Sequence, residues 1–87
     1  MTFYTYMMRN HSGQDTPAGD LADDMKWDKE NFPRNGVGKF DGWHSLIRRY
    51  LEREGACYDC LRVFEECWRD YELTERRRLK MKCEVGA

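Results

Sequence analysis

Residues 43–55, Trp43-His44-Ser45-Leu46-Ile47-Arg48-Arg49-Tyr50-Leu51-Glu52-Arg53-Glu54-Gly55, decide the fold. Trp43, Leu46, Ile47, Tyr50 and Leu51 recur at alternating steps of three and one, an unbroken apolar stripe over more than two turns of an α-helix. The helix is expected to begin after Asp41 and to end at Gly55, a glycine suited to the left-handed C′ position.

Toward the C-terminus, Leu61, Phe64, Trp68 and Tyr71 repeat at steps of three, four and three, which predicts a second strong helix. It begins near Cys57 to Asp59 and runs to about Lys82. Its basic end complements the negative end of the helix macrodipole. Toward the N-terminus, Thr2 is a good N-cap, and Phe3, Tyr6 and Met7 share one face of a short helix ending near Arg9. Asn10 to Asp15 reads as a turn, and Thr16-Pro17 opens a helix to about Trp27. Its apolar set is Ala18, Leu21, Ala22 and Met25, with Asp20, Asp23 and Asp24 facing water. Between Asp28 and Lys39, Pro33, Asn35, Gly36 and Gly38 mark a connector that Phe32 anchors. Nothing reads as a strand.

A chain of 87 residues has room for one core, and three Trp, five Tyr and four Phe supply its large side chains. Fifteen Lys and Arg balance sixteen Asp and Glu, which argues against a wholesale polyanion binder. The balance hides a gradient, because Asp15, Asp20, Asp23 and Asp24 crowd the first part while Arg76, Arg77, Arg78, Lys80 and Lys82 crowd the end. No apolar run is long enough to cross a bilayer, and Met1 to Tyr6 lacks the features of a signal peptide. A cytoplasmic protein is the expectation, with its four cysteines as free thiols.

Read as a whole, the chain resembles the YozE SAM-like family of small bacterial proteins. The likeness spans roughly residues 2–73 and rests on Phe3-Tyr4-Thr5-Tyr6 with Met8-Arg9, Leu21-Ala22, Phe32-Pro33, Tyr50-Leu51-Glu52, and Val63-Phe64-Glu65-Glu66-x-Trp68 ending in Tyr71. SAM here denotes the sterile alpha motif, a helical bundle, and not S-adenosylmethionine. The resemblance implies an all-α, compact, SAM-like bundle of four or five short helices with a longer C-terminal helix. It implies no activity. The chain departs from the family in its cysteines, in Gly36 to Gly38 and in its basic tail. The expected organisation is a bundle over 1–75 and a basic helix extension and tail over 76–87.

Four features invite chemistry. Cys57-x-x-Cys60, with Cys67 and Cys83, invites a zinc or redox reading. On a helix, however, Cys60 and Cys67 stand about 10 Å apart along the axis, too far to share one tetrahedral ion readily. Asp59 and Glu54 also oppose the lowered thiol pKa that redox work needs. His44, in the first turn of its helix, and His11, in a loop, lack a sequence-local ligand or triad partner and read as surface or boundary residues. Gly36-x-Gly38-Lys39 lacks the spacing and the preceding strand of a phosphate loop and reads as a turn. The fourth feature is a basic stripe: Arg62, Arg69, Arg76 and Lys80 recur at seven, seven and four on one face of the last helix. Glu65 to Arg69 and Glu72 to Arg76 are i, i+4 pairs that partly neutralise it.

The expectation is a non-enzymatic protein-interaction module, binding a protein partner or self-associating head to tail through its acidic and basic ends. Its candidate contact residues are Arg62, Arg69, Arg76, Arg77, Arg78, Lys80 and Lys82. An inhibitor of a partner carried by a phage or other mobile element is a special case. Nucleic-acid binding through the basic helix end is the alternative. No catalytic constellation, cofactor, metal or small-molecule substrate is indicated.

Overall fold

Two threonine caps start the chain's first two helices. In the computed structural model, which describes residues 1–36 and 38–86 and the side chains of these as far as Met81, α1 runs from Phe3 to Asn10 and α2 from Pro17 to Trp27. The Thr2 hydroxyl accepts from the Thr5 N–H at 3.0 Å, and the Thr16 hydroxyl accepts from the Gly19 N–H at 2.9 Å. Each hydroxyl satisfies a backbone donor that the first helical turn leaves without a partner. Pro17 sits where its missing N–H costs nothing.

The third helix, α3, spans Phe40–Arg53 and begins before the expected point after Asp41. Lys39 precedes it in the left-handed conformation, φ 51°, and makes no side-chain cap. Burial of Phe40 against Tyr71, with ring centroids 6.4 Å apart, draws the two extra residues into the helix. The far end follows expectation. Gly55 has φ 88°, its N–H bonds to Glu52 O at 3.1 Å, and the Ala56 N–H bonds to Leu51 O at 3.0 Å. This is the Schellman arrangement, in which a left-handed C′ residue lets two N–H groups satisfy the last carbonyls.

The last helix, α4, covers Tyr58–Gly86, and α1, α2 and α3 all pack against it. At 1.5 Å per residue its 29 residues extend about 43 Å, close to the 44 Å long dimension of the molecule. The core comprises Phe3, Tyr6 and Met7 of α1, Leu21, Ala22 and Met25 of α2, Phe40, Ile47 and Leu51 of α3, and Val63, Phe64, Cys67, Trp68 and Tyr71 of α4. Phe32 of the connector joins it, its ring 6.1 Å from Tyr4 and 5.6 Å from Tyr50. Over the described residues the chain is an all-α bundle of four helices, of which the C-terminal one is the longest.

The inward arc of α3 is narrower than the apolar stripe implied. Leu46 is 45% exposed, because α3 is rotated to bury Phe40, Ile47 and Leu51, leaving Leu46 one step of about 100° around the helix from Ile47. Trp43 packs on the edge of the core, whereas Trp68 is 4% exposed inside it. Leu61 also lies at the edge, while Val63 and Cys67 complete the inner face of α4.

Candidate functional site

The inner face of α4 ends at Glu75, its last buried residue among those described. Glu75 Oε1 holds the Met1 amino group at 2.7 Å, and Arg78 Nη1 lies 3.7 Å from the same oxygen. Beyond this point Arg76, Arg77, Arg78, Lys80 and Met81 are exposed, while Leu79 still rests partly on the bundle. The helix leaves its core as a polar spur.

The expected basic residues divide by what holds them. Arg76 Nε donates to Glu72 Oε2 at 3.1 Å, and its guanidinium lies over the Phe40 ring, 4.7 Å from the centroid. Arg62 Nη1 lies 3.6 Å from Glu66 Oε1. Among the described residues, Arg69, Arg77 and Lys80 make no ion pair. The Lys82 side chain lies outside the described ones. Two apolar side chains stand among these cations, Leu73 at 52% exposure and Met81 at 65%. Around the helix Lys80 lies about 20° and Arg69 about 40° from Leu73, so cations and leucine form one surface.

The expected Glu65–Arg69 pair is absent. Glu65 instead reaches across to α3, where its Oε2 lies 2.7 Å from His44 Nε2 and its Oε1 accepts from Arg48 Nη1 at 2.5 Å. Burial alone would raise the Glu65 pKa, but His44 and Arg48 outweigh it and hold the carboxyl below its ordinary value. The His44 ring stacks on Phe64 at 5.4 Å and meets Trp68 at 5.7 Å. His44 is therefore a boundary residue, as expected, with a carboxylate partner 21 positions away that local spacing does not reveal. The shallow hollow beside it, lined by Asp41, His44, Glu65, Trp68, Arg69 and Glu72, presents no hydroxyl, thiol or lysine nucleophile. Buried Trp68 Nε1 has no hydrogen-bond partner among the described residues. This cluster ties α3 to α4.

Cys57 is exposed, Cys60 half-buried and Cys67 buried, while Cys83 lies outside the described side chains. Burial pushes the Cys67 thiol up to about 11, with Asp70 and Glu66 adding to it. Burial also raises Cys60, followed by Cys57 and Asp24. The direction agrees with the sequence argument, but the causes differ, since burial leads and the carboxylate comes from α2 rather than from Asp59 or Glu54. Among the described residues, no cluster of three or more His, Cys, Asp and Glu side chains has metal-binding proximity. Gly38, φ 71°, and Lys39 form a left-handed turn into α3.

From the sequence Asn35 reads only as a connector residue, with no sign of its buried partners. Buried in the connector, its Oδ1 accepts from the Phe3 N–H at 2.7 Å and its Nδ2 donates to Tyr71 Oη at 2.6 Å. Gly19 likewise shows no sign of its role in the sequence. A Cβ there would stand 2.0 Å from the Gln14 carbonyl oxygen, so the α1–α2 turn crosses α2 at a point that only glycine accommodates.

No helix among the described residues is long and apolar enough to cross a membrane. A family model described as YozE SAM-like fold matches residues 2–73. No curated protein and no solved structure matches the chain.

Proposed function

The chain belongs to the YozE SAM-like fold family, and on that small helical frame we propose that it works as a non-enzymatic protein-interaction module through the end of α4. One observation carries the reading: Arg77 and Lys80 stand exposed without ion pairs among the described residues on the same helix end as Met81, and Leu73 and unpaired Arg69 lie one and two turns before Arg77. Cations mixed with accessible apolar side chains match the make-up of a protein contact, where Arg and Met are enriched. The natural complement is an acidic, partly apolar protein surface. The α4 end acts as a binding spur.

Nucleic-acid binding ranks second. Arg76 is held by Glu72 and Phe40, Arg78 by Glu75 and Arg62 by Glu66, so few cations remain for phosphates. A net charge of −1 adds little long-range attraction to a polyanion.

Reversing Arg76 and Arg78 would disturb intramolecular contacts, so the clean variant is R69E/R77E/K80E. A photo-crosslinking residue at position 77 should trap a defined protein partner, either another protein or a second copy of the chain, and R69E/K80E in that background should abolish the product with melting unchanged. Nucleic-acid binding at ~0.15 M salt should stay negligible throughout. Micromolar binding to DNA or RNA, removed by the triple reversal, would instead establish the second reading.

A further inference from the structure

At the opposite end of α4 from the basic spur, α2, the end of α3 and the first turn of α4 enclose a cleft of about 460 Å³. Its floor is apolar, formed by Leu21, Met25, Phe32 and Leu51, all core residues. Its rim carries three carboxylates, Asp24, Asp28 and Glu54, of which Asp28 accepts a hydrogen bond from the Tyr50 hydroxyl. An adjoining hollow of about 200 Å³ shares Asp24 and adds Asp20 and Asp59. Neither lining contains a Lys or Arg. An apolar floor inside an acidic rim selects a cationic segment with an apolar side chain to insert.

We infer that this cleft receives the basic end of α4 from a second copy of the chain, so that copies associate head to tail. The inference rests on the reading of the α4 end as a contact surface and names its partner. The described α4 end has the complementary chemistry: Met81 is 65% exposed, with Arg77 one turn before it and Lys80 adjacent. A thioether is a flexible filler for an irregular apolar floor, while the Arg and Lys stems lie along the cleft and their charges reach the rim. The two surfaces cannot meet within one molecule, because Cys60 of the cleft and Met81 are 21 residues apart on one helix, about 32 Å. Every copy therefore offers one free end and one free cleft. Such a contact between unlike surfaces repeats unless its rotation closes a ring.

Sedimentation velocity distinguishes the outcomes. The unaltered chain should grow in mean mass with concentration and shrink toward monomer at high salt, since rim-to-spur attraction is screened. The cleft variant D24K/E54K and the end variant R77E/K80E should each remain monomeric. An equimolar mixture should associate again, because it retains one intact cleft and one intact end and its two reversed surfaces are of opposite charge. Circular dichroism melts test whether both variants are folded, and D24N/E54Q replaces the cleft variant if it is not. Monomeric behaviour of the unaltered chain at millimolar concentration, undiminished association of the cleft variant, or a mixture that stays monomeric would each overturn the inference. If the unaltered chain is monomeric but crosslinks from position 77 to a host protein persist, this inference fails and the contact reading stands. If both signals are absent, both fail.

Discussion

Asn35 bridges Phe3 and Tyr71, taking the backbone N–H of the first at 2.7 Å and donating to the hydroxyl of the second at 2.6 Å. Phe3 is the first residue of α1, so its N–H has no partner inside the helix, and a connector residue 32 positions away supplies one. The Tyr71 hydroxyl in turn donates to Met1 O at 2.7 Å, which closes a path from the connector through α4 to the N-terminus. Asn35→Ala leaves a buried donor unpaired and should cost about 1 to 3 kcal/mol in urea unfolding. Tyr71→Phe keeps the ring and should cost less. Equal stability of Asn35→Ala and the unaltered chain would remove Asn35 from its bridging role.

Trp68 lies against Phe3, Phe64, Tyr71 and His44, with ring centroids 5.0 to 6.0 Å away. Trp68→Ala should cost about 3 to 5 kcal/mol, a large part of the stability of so small a domain. Trp68→Phe should recover most of it, because it keeps an aromatic ring and removes the unpartnered indole N–H. Thermal melting that does not change in the alanine variant would contradict the core described above.

Gly19→Ala sets two effects of opposite sign against each other. Alanine favours helix over glycine by about 1 kcal/mol. The new methyl, however, would meet the Gln14 carbonyl at 2.0 Å and the His11 carbonyl at 3.1 Å, and both are backbone atoms. The clash should win, with a net loss of about 1 to 3 kcal/mol. A stabilised Gly19→Ala variant would show that the α1–α2 turn moves aside freely.

Glu65 should make stability sensitive to acid. Although burial acts to raise its pKa, the hydrogen bonds and charges of His44 and Arg48 hold it below the ordinary 4.5. A carboxyl depressed in the folded state contributes stability above its unfolded pKa and loses it as pH falls through the folded value. Urea unfolding at a series of pH values should therefore show a loss below about pH 4.5 that is smaller in Glu65→Gln. Parallel curves for the two proteins would mean that the triad contributes nothing to folding.

Thiol reactivity should follow burial. With iodoacetamide near neutral pH, mass mapping should find Cys57 modified first, Cys60 more slowly, and Cys67 only after unfolding, because its thiol is buried and pushed up to about 11. Labelling of Cys67 at the rate of Cys57 in the folded protein would show that α4 opens readily.

The helices were legible in the sequence because the forces that form them act over four residues or fewer. Thr2 and Thr16 reach donors three positions on, Gly55 ends α3 by its own left-handed backbone, and the apolar spacing of Leu61 to Tyr71 marks one side of α4. The gradient from Asp20 and Asp24 to Arg77 and Lys80 was equally plain, since it is read from chain order alone. Tertiary structure alone decided the rest. Leu46 turned outward once the rotation of α3 on α4 chose Ile47 and Leu51, and Trp27 was left 90% exposed at the end of α2. Glu65 passed over Arg69, four residues away, for His44 and Arg48, because a second helix placed two donors at once within reach of its carboxylate. Asn35 and Gly19 carry no periodic signal, since each is defined by a contact with a backbone atom of another element. Such contacts depend on where whole helices lie in space, and no run of neighbouring residues encodes that placement by itself.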